Sequence, residues 1–400
     1  MPSPTPESPL KLSNRLRALS GGGDAWAVFS AAREMIARGE TVVDLTIGEH
    51  DFRTPGQILD AMTASARAGY TGYTAIAGDP GLRAAVAARL AARSGVATGP
   101  ENVFITAGGQ AALFAAHAAV LDPGQTGLFI DPFYATYPGT IRATGGVPVA
   151  VTAPAEEGFR PRAAAIAAAA RAHDARSLLI NTPNNPTGAV YSRDTLEEIG
   201  TVCVENGLWL ISDEVYDSMI WEGEHLSPRA LPALAARTLV VGSMSKAYAM
   251  TGSRVGWIAG PEEVIGQVIN FAVHTTYGLP GFIQEAARFA LDRGALLESE
   301  IAAPFRRRRA LALGVLAGQD PVRPIPAQGA MYLLLDIRAT GLSGQDFALR
   351  LLEEAHIAVM PGESFGTAAA GHVRVALTVD DAVLADALTR LAAFAGRLAG

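Results

Sequence analysis

Between about residues 100 and 260, short β-rich runs alternate with alanine-rich helical stretches, and this alternation most narrows what the chain can fold into. The runs fall at residues 103–106, 126–130, 177–181, 209–212 and 238–241. Alternation of this kind implies a mostly parallel sheet with crossover helices, an α/β fold. The stretch 193–205 shows how a crossover is punctuated: Ser192 is placed to cap it, Leu196, Ile199 and Cys203 make one apolar face, and Asn206-Gly207 ends it. After about residue 300 the pattern changes to a long basic helix, a strand near 331–336, a helix near 343–356 and a strand near 372–377. A chain of 400 residues exceeds the limit of about 250–300 for one core. The expected organisation is an arm at 1–30, a small α+β domain from 31–60 plus 300–400, and a large α/β domain over 61–299.

Composition removes several classes of function. Much of the 49% hydrophobic content is alanine, and the run Ala163 to Ala170 is helix-forming and flanked by arginines rather than membrane-spanning. A formal net charge of −7 with no long basic stripe argues against nucleic acid as a partner. The patch Arg306 to Arg309 reads as a solvated helix face. The first nine residues, with four prolines and neither a basic nor an apolar region, read as a disordered arm rather than a secretory signal. The single cysteine, Cys203, cannot form an internal disulfide and reads as a buried thiol. A cytoplasmic location is the expectation.

The chemistry gathers around Lys246, one of only two lysines in the chain. It follows the apolar run 238–241 in Gly242-Ser243-Met244-Ser245-Lys246, in a loop at the strand end where open α/β sheets bind ligands. An amine there can hold an aldehyde covalently, and Ser243 with Arg254 can hold an attached phosphate. Those two anchors together read as a site for pyridoxal 5'-phosphate (PLP). In Leu210-Ile211-Ser212-Asp213, Asp213 stands just past a buried strand, where an unpaired charge costs several kcal/mol. A protonated pyridine nitrogen would meet it; alternatively it is a helix N-cap. Glu214 reads as structural. The loop Asn181-Thr182-Pro183-Asn184-Asn185-Pro186 can aim Asn185 at a phenolate oxygen, with Tyr216 as a second donor. Gly108-Gly109-Gln110 makes a strand-to-helix junction that presents backbone N–H groups to an anion.

Two other motifs compete and fail. Ser243 to Lys246 also fits the Ser-x-x-Lys of penicillin-binding proteins, but no Ser-Asp-Asn or Lys-Thr-Gly element accompanies it. Gly362-Glu363-Ser364-Phe365-Gly366 matches a hydrolase nucleophile elbow, yet only 36 residues follow Ser364 and His372 precedes Asp380, the wrong order for that triad.

Taken together, the segments resemble fold-type I PLP-dependent aminotransferases of the class I and II group from about residue 12 to the end. Gly48 in Ile47-Gly48-Glu49-His50-Asp51-Phe52 is similar to the family's substrate-side glycine, Tyr73 to a phosphate-binding tyrosine from the partner subunit, and Tyr134 to the ring-stacking aromatic. Asn185, Asp213, Tyr216, Lys246 and Arg254 fall at the matching cofactor positions. Arg374, in His372-Val373-Arg374-Val375, resembles the arginine that grips the substrate α-carboxylate, a task suited to its bidentate geometry. The resemblance implies a homodimer and a ping-pong exchange between an amino acid and a 2-oxo acid, with Lys246 as the proton carrier. Gln110 stands where aspartate-using relatives often have lysine, His50 replaces a frequent proline, and Tyr134 a frequent tryptophan. Further stretches, including Glu222-Gly223-Glu224-His225, look similar to arginine:pyruvate transaminases of bacteria. The expectation is a basic or neutral donor, arginine among them, with pyruvate or 2-oxoglutarate as acceptor. A PLP-dependent β-lyase on the same fold is the alternative, and a non-catalytic PLP-binding module a more distant one.

Overall fold

The computed structural model describes residues 12–19 and 26–399, so most of the expected N-terminal arm lies outside the described residues. A seven-stranded sheet forms the centre, in the spatial order Val103–Thr106, Gly256–Ala259, Thr238–Ser243, Trp209–Asp213, Ala175–Asn181, Thr126–Asp131, Val147–Thr152. Every run expected as a strand between residues 100 and 260 is in it. Neighbours are parallel except Gly256–Ala259, which runs antiparallel to both strands beside it. Most of the interior strands are buried along their whole length, as strands covered on both faces are, which is why they read as continuous apolar runs.

The antiparallel strand has a local cause that matters for the site. After Ser243 the chain makes one helical turn, Met244–Ala247, and a short 3-10 turn, Thr251–Ser253, before re-entering the sheet at Gly256, opposite Ser243. No crossover helix intervenes to carry it to the far end, so it returns in the opposite direction. Lys246 and Arg254 are thereby held at the same sheet edge.

The crossover Arg193–Glu205 forms as its punctuation predicts: the Ser192 hydroxyl accepts from Thr195 N at 3.3 Å, and Leu196, Ile199 and Cys203 are fully buried. Burial pushes the Cys203 thiol up to about 12, which leaves it unreactive. Each of the buried aliphatic side chains contributes roughly 1.5–3 kcal/mol.

A second, antiparallel sheet has the order Met360–Pro361, His372–Ala376, Tyr332–Asp336, Arg323–Ile325. Helices Gly344–Ala355 and Asp381–Ala399 cover it, with Phe347 and Phe394 edge to face at 5.3 Å. Helix Gly281–Leu316, kinked at Gly294, joins the two halves: Ala286, Ala290 and Ile301 pack with the first core, Phe305, Ala312 and Leu316 with the second.

That helix corrects one expectation. Arg306 to Arg309 is not a solvated face: Arg308 is buried and pairs with Asp51 at 2.6 Å and Asp381 at 3.1 Å, while Arg309 donates to the Ala327 carbonyl and pairs with Glu222. Arg306 and Arg307 are exposed, yet both are engaged: Arg306 donates to the Ile220 carbonyl at 2.7 Å and Arg307 pairs with Asp381. The charges tie this helix to the N-terminal segment and the last helix. No helix of the described residues is long and apolar enough to cross a membrane.

Candidate active site

A cavity of about 310 Å³ opens at the C-terminal edge of the central sheet, where the strands ending at Asn181, Asp213 and Ser243 deliver their following loops. Gly48, Gly109, Gln110, Tyr134, Asn185, Asp213, Tyr216, Ser243, Lys246, Arg254 and Arg374 all line it. Gly108 stands behind Arg254. Tyr73 lies away from the cavity, 98% exposed, its ring 6.1 Å from that of Tyr277.

At the floor, Asp213 is buried and has no ion-pair partner among the described residues. Desolvation pushes its carboxyl up to about 6, although Tyr137 donates to Oδ2 at 2.7 Å and Val215 N–H to Oδ1 at 3.3 Å. A carboxylate held this way is incomplete without a cation in the cavity. Its neighbour Glu214 is satisfied inside the protein, by Ser227 at 2.8 Å and His225 at 3.1 Å, in keeping with a structural part.

Toward one side the cavity is built for an anion. Helix Gly109–Val120 begins there, and Gly108 has φ +81°. A Cβ on Gly108 would lie 2.4 Å from an Arg254 nitrogen, so only glycine lets the guanidinium sit against the helix start. Arg254, itself left-handed at φ 52°, is held by the Thr251 carbonyl at 2.8 Å, and the Ser243 hydroxyl lies 2.9 Å from that of Ser245. Helix N-terminus, guanidinium and hydroxyls converge as a phosphate site does.

On the other side sits Arg374, 3% exposed. It donates to Asn185 Oδ1 at 2.8 Å and to the Thr46 carbonyl, while Nε has no partner among the described residues. Its guanidinium carbon lies 4.2 Å from the Tyr332 ring centre and 4.4 Å from that of Phe365. Two aromatic faces therefore fix the plane of a cation that still has donor capacity for an oxyanion.

Between the two anion sites lies Lys246, its amine donating to the Gly48 carbonyl. A side chain on Gly48 would run into the Tyr332 hydroxyl, with a Cβ 1.8 Å from it, so glycine allows that carbonyl its approach. Tyr216 and Tyr332 share a hydrogen bond at 3.0 Å. Gln110 also lines the cavity, and its side-chain amide donates to Thr140 at 2.7 Å and accepts from Thr136 at 3.0 Å, so its polar atoms are engaged inside the protein.

Sequence reasoning missed Tyr137, Tyr332 and Phe365. Tyr137 lies three residues after Tyr134, across a turn in which its N–H donates to the Tyr134 carbonyl at 2.9 Å, and that spacing was a usable signal. Tyr332 and Phe365 belong to the second sheet and its loops, and nothing in their local sequence points at Arg374.

A buried uncompensated carboxylate, a covalently competent amine, an anion cradle and an aromatic-framed arginine fit PLP and an amino-acid substrate. Residues 40–391 match the family model "Aminotransferase class I and II". The chain is 39% identical to the arginine–pyruvate transaminase of Pseudomonas aeruginosa over 384 residues, spanning 96% of this chain and 98% of that one. It is 36% identical to an aspartate aminotransferase of Streptomyces avermitilis over 403 residues, 98% of each chain. The structure of the Thermus thermophilus aspartate aminotransferase with maleate superimposes with a TM-score of 0.90 at 36% identity, covering 96% of this chain and all of that one. These relatives are named for transamination, which favours it over β-elimination. The chain belongs to the class I and II aminotransferases, and is a PLP-dependent enzyme of fold type I that acts on amino acids and 2-oxo acids.

Proposed function

We propose that this aminotransferase takes a basic or neutral L-amino acid, arginine among them, as donor and a 2-oxo acid such as pyruvate or 2-oxoglutarate as acceptor. The observation that carries this is Gln110: at a position where, by the resemblance, aspartate-using relatives often have lysine, the side chain is neutral and tied to Thr136 and Thr140. Among the described residues, the cations that line the cavity are Lys246, Arg254 and Arg374, and each has another task. Similarity to an arginine–pyruvate transaminase supports the same reading.

In it, Lys246 would anchor the cofactor and Asp213 would pair with a protonated ring nitrogen. Asn185 and Tyr216 would donate to the ring oxygen, Tyr134 would stack on the ring, and Ser243, Arg254 and the Gly108-Gly109-Gln110 backbone would hold the phosphate. Bound PLP supplies an electron-withdrawing ring that stabilises negative charge at the substrate α-carbon. Arg374 would bind the α-carboxylate and orient the Cα–H bond toward Lys246, whose Nζ, freed once the substrate amine replaces it on the cofactor, would take the proton. The Gly48 carbonyl sits beside that nitrogen and closes the substrate side. We infer a homodimer, active in the cytoplasm, in which Tyr73 completes the phosphate site of the partner.

The test is visible absorption of purified protein titrated with single amino acids without acceptor. Conversion of the cofactor band by arginine and alanine, with aspartate slower, is the expected result. Aspartate turning over as fast or faster would overturn the donor preference, and ammonia with pyruvate released from a cysteine-type substrate without acceptor would show a lyase.

A further inference from the structure

Asp131 closes the strand Thr126–Asp131, outside the cavity lining, and its carboxylate is almost fully buried. Burial raises its pKa, and among the described residues it has no ion-pair partner. Its compensation comes from one loop of the other sheet's side: Thr367 N at 3.0 Å, the Thr367 hydroxyl at 2.9 Å and Ala368 N at 3.2 Å. Two residues on, Phe133 N donates to the Phe365 carbonyl at 2.9 Å. The same stretch of chain therefore grips residues 365–368 at two points.

The loop is shaped to accept that grip. Gly366 has φ 112°, and a Cβ there would lie 2.0 Å from Asp131 Oδ1, so only glycine lets the carboxylate reach the amides beyond it. What the loop carries is Phe365, fully buried, whose ring forms one of the two walls of Arg374. A carboxylate accepting N–H bonds is a stronger and more directional tether than a neutral acceptor. Nothing else about the position requires a charge.

We propose that Asp131 is a positioning residue for Arg374: by fixing the 365–368 loop it holds Phe365 against the guanidinium and sets the plane in which the substrate α-carboxylate is received. The inference rests on the reading of Arg374 as the carboxylate-binding residue. It predicts an effect on substrate affinity common to all donors, because all share that carboxylate.

The experiment measures KM and kcat for arginine and alanine, with cofactor retention, in D131N, R374K and the double variant. Asparagine keeps the shape but sets an NH2 group against amide donors. D131N should raise KM about tenfold for both donors, with a smaller change in kcat and unchanged cofactor retention. In the R374K background the same substitution should raise KM less than threefold, because the residue it acts through is already altered. Additive effects in the double variant, an unchanged KM in D131N, or equal loss of cofactor would overturn the proposal. An R374K enzyme with unaltered KM would instead overturn the reading of Arg374. If D131N does not fold, T367V replaces it: losing the hydroxyl donor but not the backbone ones, it should raise KM in the same way about threefold, and an unchanged KM in T367V counts against the proposal.

Discussion

Tyr137 donates its phenolic hydrogen to Asp213 Oδ2 at 2.7 Å, so this buried carboxylate is oriented by a neutral group and has no cation beside it among the described residues. An orienting bond of this kind fixes which lone pairs face the cavity without neutralising the charge.

From this follows a pH-dependent stability in the cofactor-free protein. Burial raises the Asp213 carboxyl from 3.8 to about 6, so between those values the folded chain holds a proton that the unfolded chain has released. The stabilisation is complete below the unfolded value and is lost as pH rises through about 6. D213N should make the cofactor-free protein more stable than wild type by about 1–3 kcal/mol near neutrality, with the difference vanishing below about pH 4. With PLP the order reverses: the variant should lose cofactor more readily and slow the half-reaction by about 100-fold or more. Thermal melts across pH, with and without PLP, check both arms.

Arg374 makes a different kind of prediction, because its donors are forked and framed by Tyr332 and Phe365. R374K keeps the charge but loses the fork, and the shorter reach of a point charge leaves Asn185 Oδ1 or the substrate without a donor. KM should rise about 100-fold, equally for arginine and alanine, and the cofactor spectrum should stay unchanged. Steady-state kinetics with the two donors decide it; a loss confined to arginine would place Arg374 at the side chain instead.

The large sheet and the cofactor-side loops were legible because each strand is a short buried run closed at once by its own polar residues. Asp213, Lys246 and Asn185 announce themselves as polar groups at strand ends. What sequence did not show arises from packing between distant segments. Arg308 sits in a run of four arginines and reads as solvent-facing, but Asp51 and Asp381, 257 and 73 residues away, draw it inside. Phe365 lies in a false hydrolase motif, and its partner Arg374 is reached only because the loop folds back against Asp131. Gln110 was legible as a departure but not as a side chain turned toward Thr136 and Thr140, which depends on where the next helix packs.

His117 tests the acid limit of stability. It is fully buried in helix Gly109–Val120, both ring nitrogens lack partners among the described residues, and burial lowers its pKa from 6.5 to about 4. The unfolded chain therefore binds a proton that the folded one refuses, and stability present above about 6.5 falls as pH drops toward 4. H117L removes the titration, so at about pH 5 it should be roughly 2 kcal/mol more stable than wild type and near neutrality little changed. Denaturant unfolding at the two pH values measures it, and a constant difference between them would show that the gain came from packing alone.

Tyr73 is 98% exposed in the single chain, an unusual state for an aromatic residue assigned to a phosphate site. If it completes the site of a second copy, Y73A and K246A damage opposite partners. Each homodimer is impaired, but when subunits are exchanged the mixed dimer contains one site with both defects and one with neither. Random exchange makes half of the dimers mixed, so activity should recover to about a quarter of the wild-type value per subunit, above the residual activity of Y73A. Were Tyr73 to serve its own chain's site, every site of the mixed dimer would keep one defect and mixing would restore nothing. Assaying the half-reaction with alanine before and after exchange, with sedimentation to verify that dimers are present, separates the two arrangements without relying on how severe either single substitution is.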